Sequence, residues 1–150
     1  MKKLLLLIIL SLVISCDDSN VTDDSETIDT GQFKRILNHD NQEREYIVYI
    51  PESYDGTTEV PMVFNFHGFG GYISKYIDEA DMRSVADAEN FILVYPQGTE
   101  IEGFSHWNAA EDSPDNKSDA DDIGFVKKLI EQLKSDYNIN SNRIYACGYS

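Results

Sequence analysis

Residues 60–66, Val-Pro-Met-Val-Phe-Asn-Phe, form a nearly unbroken apolar run that passes straight into His67-Gly68-Phe69-Gly70-Gly71. A strand that reads as continuous rather than alternating is buried on both faces, which requires helices on either side of a parallel sheet. The surrounding pattern agrees. Residues 44–50 alternate, with Tyr46, Val48 and Ile50 on one side and Glu45, Ile47 and Tyr49 on the other, the period of a strand. Residues 91–95 are a second short apolar run, closed by Pro96-Gln97-Gly98. Residues 80–90 read as a helix of modest apolar face. Residues 100–120 read as polar and irregular.

Asp121-Asp122 opens the clearest helix. Ile123, Val126, Ile130, Leu133 and Tyr137 recur every three or four residues as one stripe, with Lys127, Lys128 and Lys134 on the other side. Acids at its start suit the positive end of a helix, and Asn138 and Asn140 can end it. Residues 143–147 make a last strand, followed by Gly148-Tyr149-Ser150. Strands and helices in alternation define an α/β fold with a mostly parallel sheet flanked by helices.

The N-terminus carries a different signal. Met1-Lys2-Lys3 precedes an apolar run over 4–14, interrupted only by Ser11. It is too short for a membrane span of about 20 residues and fits the core of a secretory signal over 1–15. The run ends Val13-Ile14-Ser15-Cys16, which resembles a bacterial lipobox and implies that Cys16 becomes an acylated N-terminus. The expected location is an exported, membrane-anchored lipoprotein on the extracellular or periplasmic face. Cys147 is the other cysteine. With Cys16 acylated it has no disulfide partner, and it is expected to be a buried small hydrophobe. Residues 16–31 contain six acids and no base, so they should form an extended acidic tether. They lack the spacing and the glycine of a calcium loop. The folded domain is expected over 32–150. With 27 acids against 12 lysines and arginines, the net charge of −15 repels phosphate backbones and argues against a nucleic-acid partner.

Two features carry chemistry. Gly148-Tyr149-Ser150 follows a strand, as in the Gly-X-Ser-X-Gly turn that lifts a nucleophilic hydroxyl above a sheet edge. Glycine is required there because a side chain would collide with neighbouring strands. The loop His67, Gly68, Phe69, Gly70, Gly71 can aim backbone N–H groups at a developing oxyanion. It lacks the lysine-ended pattern of a phosphate loop. His67 itself is expected to be structural, bonding the loop from the strand's end. In α/β-hydrolases the acid and the histidine come after the serine in the chain. His39, His67 and His106 all precede Ser150, so these partners are expected downstream.

At this point the chain resembles the extracellular esterases grouped with polyhydroxybutyrate depolymerases, feruloyl esterases and acetyl xylan esterases. The matching stretches are 61–71, Val94-Tyr95-Pro96-Gln97-Gly98, His106-Trp107-Asn108, Asp121-Asp122-Ile123-Gly124-Phe125-Val126 and residues 143–150. The resemblance implies the N-terminal half of an α/β-hydrolase domain and a carboxylic-ester hydrolase with no metal and no cofactor. Ser150 would be the nucleophile. The backbone of Phe69 and Gly70 would lie in the oxyanion loop, with a further donor from the residue after Ser150. Trp107 is a candidate for lining the substrate site, with plain packing as the alternative. Asp121 and Asp122 are expected to cap the helix and order the loop rather than touch substrate. Some family members carry a cysteine-rich segment between the Trp and Asp-Asp motifs, whereas residues 109–120 have no cysteine. The implied partner is an ester substrate, polysaccharide-linked (feruloyl or acetyl) or polymeric. A serine peptidase on the same scaffold and a non-catalytic binding lipoprotein are the competing readings.

Overall fold

The computed structural model describes residues 28–110 and 113–149. The signal and lipobox region with Cys16, most of the acidic tether, and Ser150 lie outside the described residues. The chain begins with a hairpin, β1 (Gly31–His39) and β2 (Gln42–Ile50), in which His39 faces Gln42 across Asp40 and Asn41. Both turn residues have positive φ, 50° and 59°, the geometry of the two-residue turn whose twist matches that of paired strands. Next come β3 (Val60–Phe66), α1 (Ile73–Glu79), α2 (Arg83–Glu89) and β4 (Ile92–Pro96). A small hairpin, β5 (Thr99–Ile101) and β6 (Phe104–His106), leads to α3 (Asp122–Asp136) and β7 (Ile139–Gly148).

The sheet order is β1-β2-β4-β3-β7. β2 pairs antiparallel with β1 and β4, and β3 pairs parallel with β4 and β7. Alternation along the central strands sends residues to two separate cores. Val48, Ile50, Met62, Phe64, Ile92 and Val94 pack against Phe125, Leu129 and Leu133 of α3. Ile47, Leu93 and Tyr95 pack on the other face against Ile73, Tyr76 and Ile77 of α1 and Ala86 of α2. Each large apolar side chain fully buried in this way contributes roughly 1.5–3 kcal/mol of transfer free energy. The sheet is mixed, two of the four pairings among the described residues being antiparallel, and helices cover both of its faces as expected of the sequence.

Several local expectations are corrected. The helix expected over 80–90 is α2, Arg83–Glu89, and a second short helix, α1 at Ile73–Glu79, stands just before it. Asp81 interrupts them by accepting hydrogen bonds from the backbone N–H and Nε of Arg83, each at 2.9 Å, and Asn90 ends the second with φ 49°. The fully buried line of α3 is Phe125, Leu129 and Leu133. Val126, Ile130 and Tyr137 flank it as partly buried neighbours, so the stripe is rotated from the one read in the sequence. The region expected to be irregular contains the β5–β6 hairpin, turned by Glu102 and Gly103 with φ 52° and 82°. Cys147 is exposed rather than buried, because β7 is the outer strand of the described sheet. Its Sγ rests 4.0 Å from Met82 Sδ, and the local desolvation raises the thiol pKa.

Candidate active site

β3 ends at Phe66 and delivers His67 into the interior, where only 1 % of its surface remains exposed. The imidazole Nδ1 lies 2.7 Å from Gly68 O, and a carbonyl can only accept, so Nδ1 carries the proton. Nε2 then accepts the Gly98 N–H at 3.0 Å and faces the Gln97 amide nitrogen at 3.1 Å. Gln97 Oε1 accepts the Ile73 N–H at 2.9 Å, at the start of α1. One buried ring and one amide thus tie the glycine loop, the β4–β5 connection and α1 together. A Cβ at Gly98 would stand 2.2 Å from His106 O, a clash with backbone that no rotamer relieves, so this close approach requires glycine.

Burial lowers the His67 pKa below its ordinary 6.5, with the Gly68 carbonyl and the Asp122 charge opposing the shift. The neutral form is therefore the folded form. A histidine with a depressed folded pKa contributes its full stability above the unfolded value, and that stability is lost as pH falls through 6.5 towards the folded pKa. Urea midpoints measured from pH 8 to pH 5 should fall with a slope approaching about 1.4 kcal/mol per pH unit for this one proton. The extra slope should vanish in His67→Gln. Parallel curves for the two proteins would contradict this assignment.

The loop's amides divide into two groups. Gly70, at φ 74°, donates to Ser105 O at 2.7 Å, and Gly71 donates to Gly68 O at 3.0 Å. The Ser105 hydroxyl donates to Gly71 O. The Phe69 N–H has no acceptor among the described residues. Of the two amides expected to face an oxyanion, Gly70's is therefore occupied by β6, and Phe69's is the one available.

The segment after β6 is stitched to the start of α3. Trp107 Nε1 donates to His67 O at 3.1 Å, and its ring meets Phe66 edge-on at 5.2 Å. Asn108 donates from its side chain to Ser118 O and Ala120 O at 2.8 and 2.9 Å, and accepts the Lys117 N–H at 3.0 Å. His106 Nε2 lies 2.8 Å from the Ser118 hydroxyl. Asp121 caps α3 by accepting the Gly124 N–H at 2.8 Å and lies 3.1 Å from His39 Nε2. The Gly124 bond comes first among the causes that lower its carboxyl pKa. Asp122 accepts the Asn108 N–H at 2.7 Å and pairs with Arg44 of β2 at 2.6 Å, both side chains being almost fully buried. Both aspartates therefore do the ordering work expected of them. Gln97, Ser105 and Arg44 were missed as site residues. The sequence signal for Arg44 was a cation in register with Tyr46, Val48 and Ile50, the side of the alternating run that is buried.

These elements surround a cavity of about 670 Å³, lined chiefly by apolar groups including Phe66, Phe69, Trp107, Val126, Gly148 and Tyr149. It brings the glycine loop, Trp107 and the two residues preceding Ser150 to one place. Tyr149 donates its N–H to Phe66 O at 3.1 Å, and a Cβ at Gly148 would come within 2.7 Å of the same oxygen. The glycine before the turn is thus accounted for by the close approach of β7 to β3. Among the described residues, no group of three or more His, Cys, Asp or Glu side chains is placed to hold a metal ion.

No protein-family model matches the chain. Among characterised proteins it is 28 % identical over 107 residues to a bifunctional acetylxylan esterase/xylanase of Neocallimastix patriciarum, covering 71 % of this chain and 14 % of that protein. It is 26 % identical over 107 residues to feruloyl esterase B of Piromyces equi, covering 71 % and 19 %. The chain therefore spans only a minor part of the relatives it matches. Among solved structures, an S-formylglutathione hydrolase of Agrobacterium tumefaciens superposes with a TM-score of 0.64 at 13 % identity, covering 79 % of this chain and 48 % of that one. A ferulic acid esterase of Anaeromyces mucronatus gives 0.55 at 19 % identity, covering 93 % and 57 %. Sequence and fold together make this chain a distant relative of the feruloyl and acetylxylan esterases, bearing part of an α/β-hydrolase domain.

Proposed function

We propose that the whole protein is an exported serine esterase that cleaves carboxylic esters attached to polysaccharide, through an acyl-enzyme on Ser150. The observation that carries this reading is the one cavity shared by Gly148, Tyr149 and Phe69, whose amide has no acceptor among the described residues. In the proposed reaction, Ser150 Oγ attacks the ester carbonyl while a histidine takes its proton. The carbonyl oxygen gathers negative charge facing the Phe69 N–H and the N–H of the residue after Ser150. Collapse expels the alcohol, which receives the proton, and water then releases the acid by the same steps in reverse. One well-placed amide donor is worth roughly 3 kcal/mol at that stage.

The base and its orienting acid come from chain beyond Ser150. His67 has both ring nitrogens engaged, His106 Nε2 faces Ser118, and His39 faces Asp121. Trp107, fixed by His67 O, lines the acyl side. Cys16 is acylated and tethers the domain to the membrane. The printed activities of the feruloyl and acetylxylan esterase relatives support an ester of this class.

One mass-spectrometric experiment tests both parts. The whole protein, exported and treated with a fluorophosphonate probe, is digested and its peptides weighed. The expected result is a phosphonyl adduct on Ser150 and a diacylglyceryl mass on Cys16. An adduct elsewhere, or none, removes the nucleophile assignment, and a free Cys16 thiol removes the anchor.

A further inference from the structure

At the rim of the cavity, Phe69 and Phe104 stack face to face, with centroids 5.6 Å apart and planes within 16°. Neither ring is buried: Phe69 is 59 % exposed and Phe104 is 54 % exposed. The pair is held in place rather than loose. Phe104 opens β6, directly after the positive-φ turn at Glu102 and Gly103. Tyr72, itself exposed, donates its hydroxyl hydrogen to Gly103 O at 3.1 Å and braces that turn. Gly70 N–H to Ser105 O locks the glycine loop against the same hairpin. The Lys117 ammonium stands 5.9 Å from the Phe69 centroid. Two large apolar rings kept in water by three restraints form a small patch of the kind that marks a binding surface.

We propose that this aromatic pair is the subsite for the sugar that carries the ester. The inference rests on the esterase reading above and adds the side on which the alcohol lies. Phe69 links the two places, since its N–H faces the reacting carbonyl while its ring builds the platform. An ester held at that amide must lay one of its two sides across the rings. A group joined to a polymer must extend into solvent, so the polymer side lies on the exposed platform at the cavity's open rim and the acyl side points inward to Trp107. Flat aromatic faces suit the C–H face of a sugar ring. The Lys117 ammonium and the lone pairs of the Tyr72 hydroxyl are at hand for its hydroxyl groups.

Affinity electrophoresis of the whole protein in native gels containing soluble arabinoxylan tests this without turnover. Phe104→Ala leaves the charge, and so the mobility in blank gels, as it was. The wild type should be retarded. Phe104→Ala should show an apparent Kd raised about fivefold, from the loss of one ring face, and Phe104→Trp should restore retardation. No retardation of the wild type, or equal retardation of wild type and Phe104→Ala, would overturn the proposal. A kinetic arm separates the two sides of the ester. For Phe104→Ala, the ratio of kcat/KM on a feruloylated arabinoxylan oligosaccharide to that on methyl ferulate should fall about fivefold. An unchanged ratio with both values lowered would place the acyl group on the platform instead, against the proposal. Retardation with no ester turnover at all would leave the sugar subsite standing and remove the esterase reading.

Discussion

Replacing Ser150 with alanine in the whole protein is expected to lower kcat/KM on carboxylic esters by about four to six orders of magnitude. In the proposed mechanism the loss is this large because the hydroxyl is the group that becomes acylated. The Phe69 amide and the cavity would survive the change, so a residual rate above that of water should persist. KM should move far less than kcat, since the substrate is held by the cavity walls and the rim. The measurement is steady-state hydrolysis of methyl ferulate and p-nitrophenyl acetate, with a peptide ester as comparison and a melting curve to verify folding. Activity within tenfold of wild type would mean that Gly148 and Tyr149 border a cavity used for something else.

Removing the Asp122 carboxylate should be the most damaging single change to stability, at about 3–5 kcal/mol for Asp122→Ala. The carboxylate is 3 % exposed and accepts from two buried donors, Arg44 Nη2 and the Asn108 N–H. Its loss strands the Arg44 guanidinium, which is 4 % exposed and 4.0 Å over the Phe125 ring. That cation would keep only its bond to Gln97 O at 3.2 Å. Asp122→Asn should cost less, because the amide oxygen can still accept from Asn108. Arg44→Met combined with Asp122→Leu should recover much of the loss, since the cost of breaking the pair is mainly that of a buried charge left alone. Urea denaturation of the four proteins reads this directly. If Asp122→Ala and the double variant had the same midpoint, the buried-charge argument would fail.

The chemistry was more legible in the sequence than its supports. Apolar runs at Val60–Phe66 and Ile92–Pro96 announced buried central strands because both faces needed hydrophobic side chains. α3 was evident from its length and its acids. β1 went unread because it has one wet face: Ile36 is 54 % exposed and Lys34 reaches out to Glu45. α2 was read with overlong bounds and α1 was missed because each is only seven residues long, too short for periodicity to stand out. The Gly148-Tyr149-Ser150 tripeptide and the loop after β3 were visible as motifs. Which amide was available was not. That depends on Ser105, 35 positions beyond Gly70, accepting from it through a hairpin whose Glu102-Gly103 turn has positive φ at both residues but lacks the Asn-Gly or Asp-Gly pair that announces such a turn. Arg44 and Gln97 work through partners far along the chain, which no local pattern encodes.

The ladder between β3 and β7 joins Val60 to Ile139 and continues to Phe66 and Gly148, whereas β1 and β2 meet across a two-residue turn. Closing so wide a loop costs chain entropy before any contact repays it. The corner of the cavity where β3 meets β7 is accordingly expected to form late in folding. The first hairpin can form early, but the cavity lacks the wall made by Gly148 and Tyr149 until β7 pairs with β3.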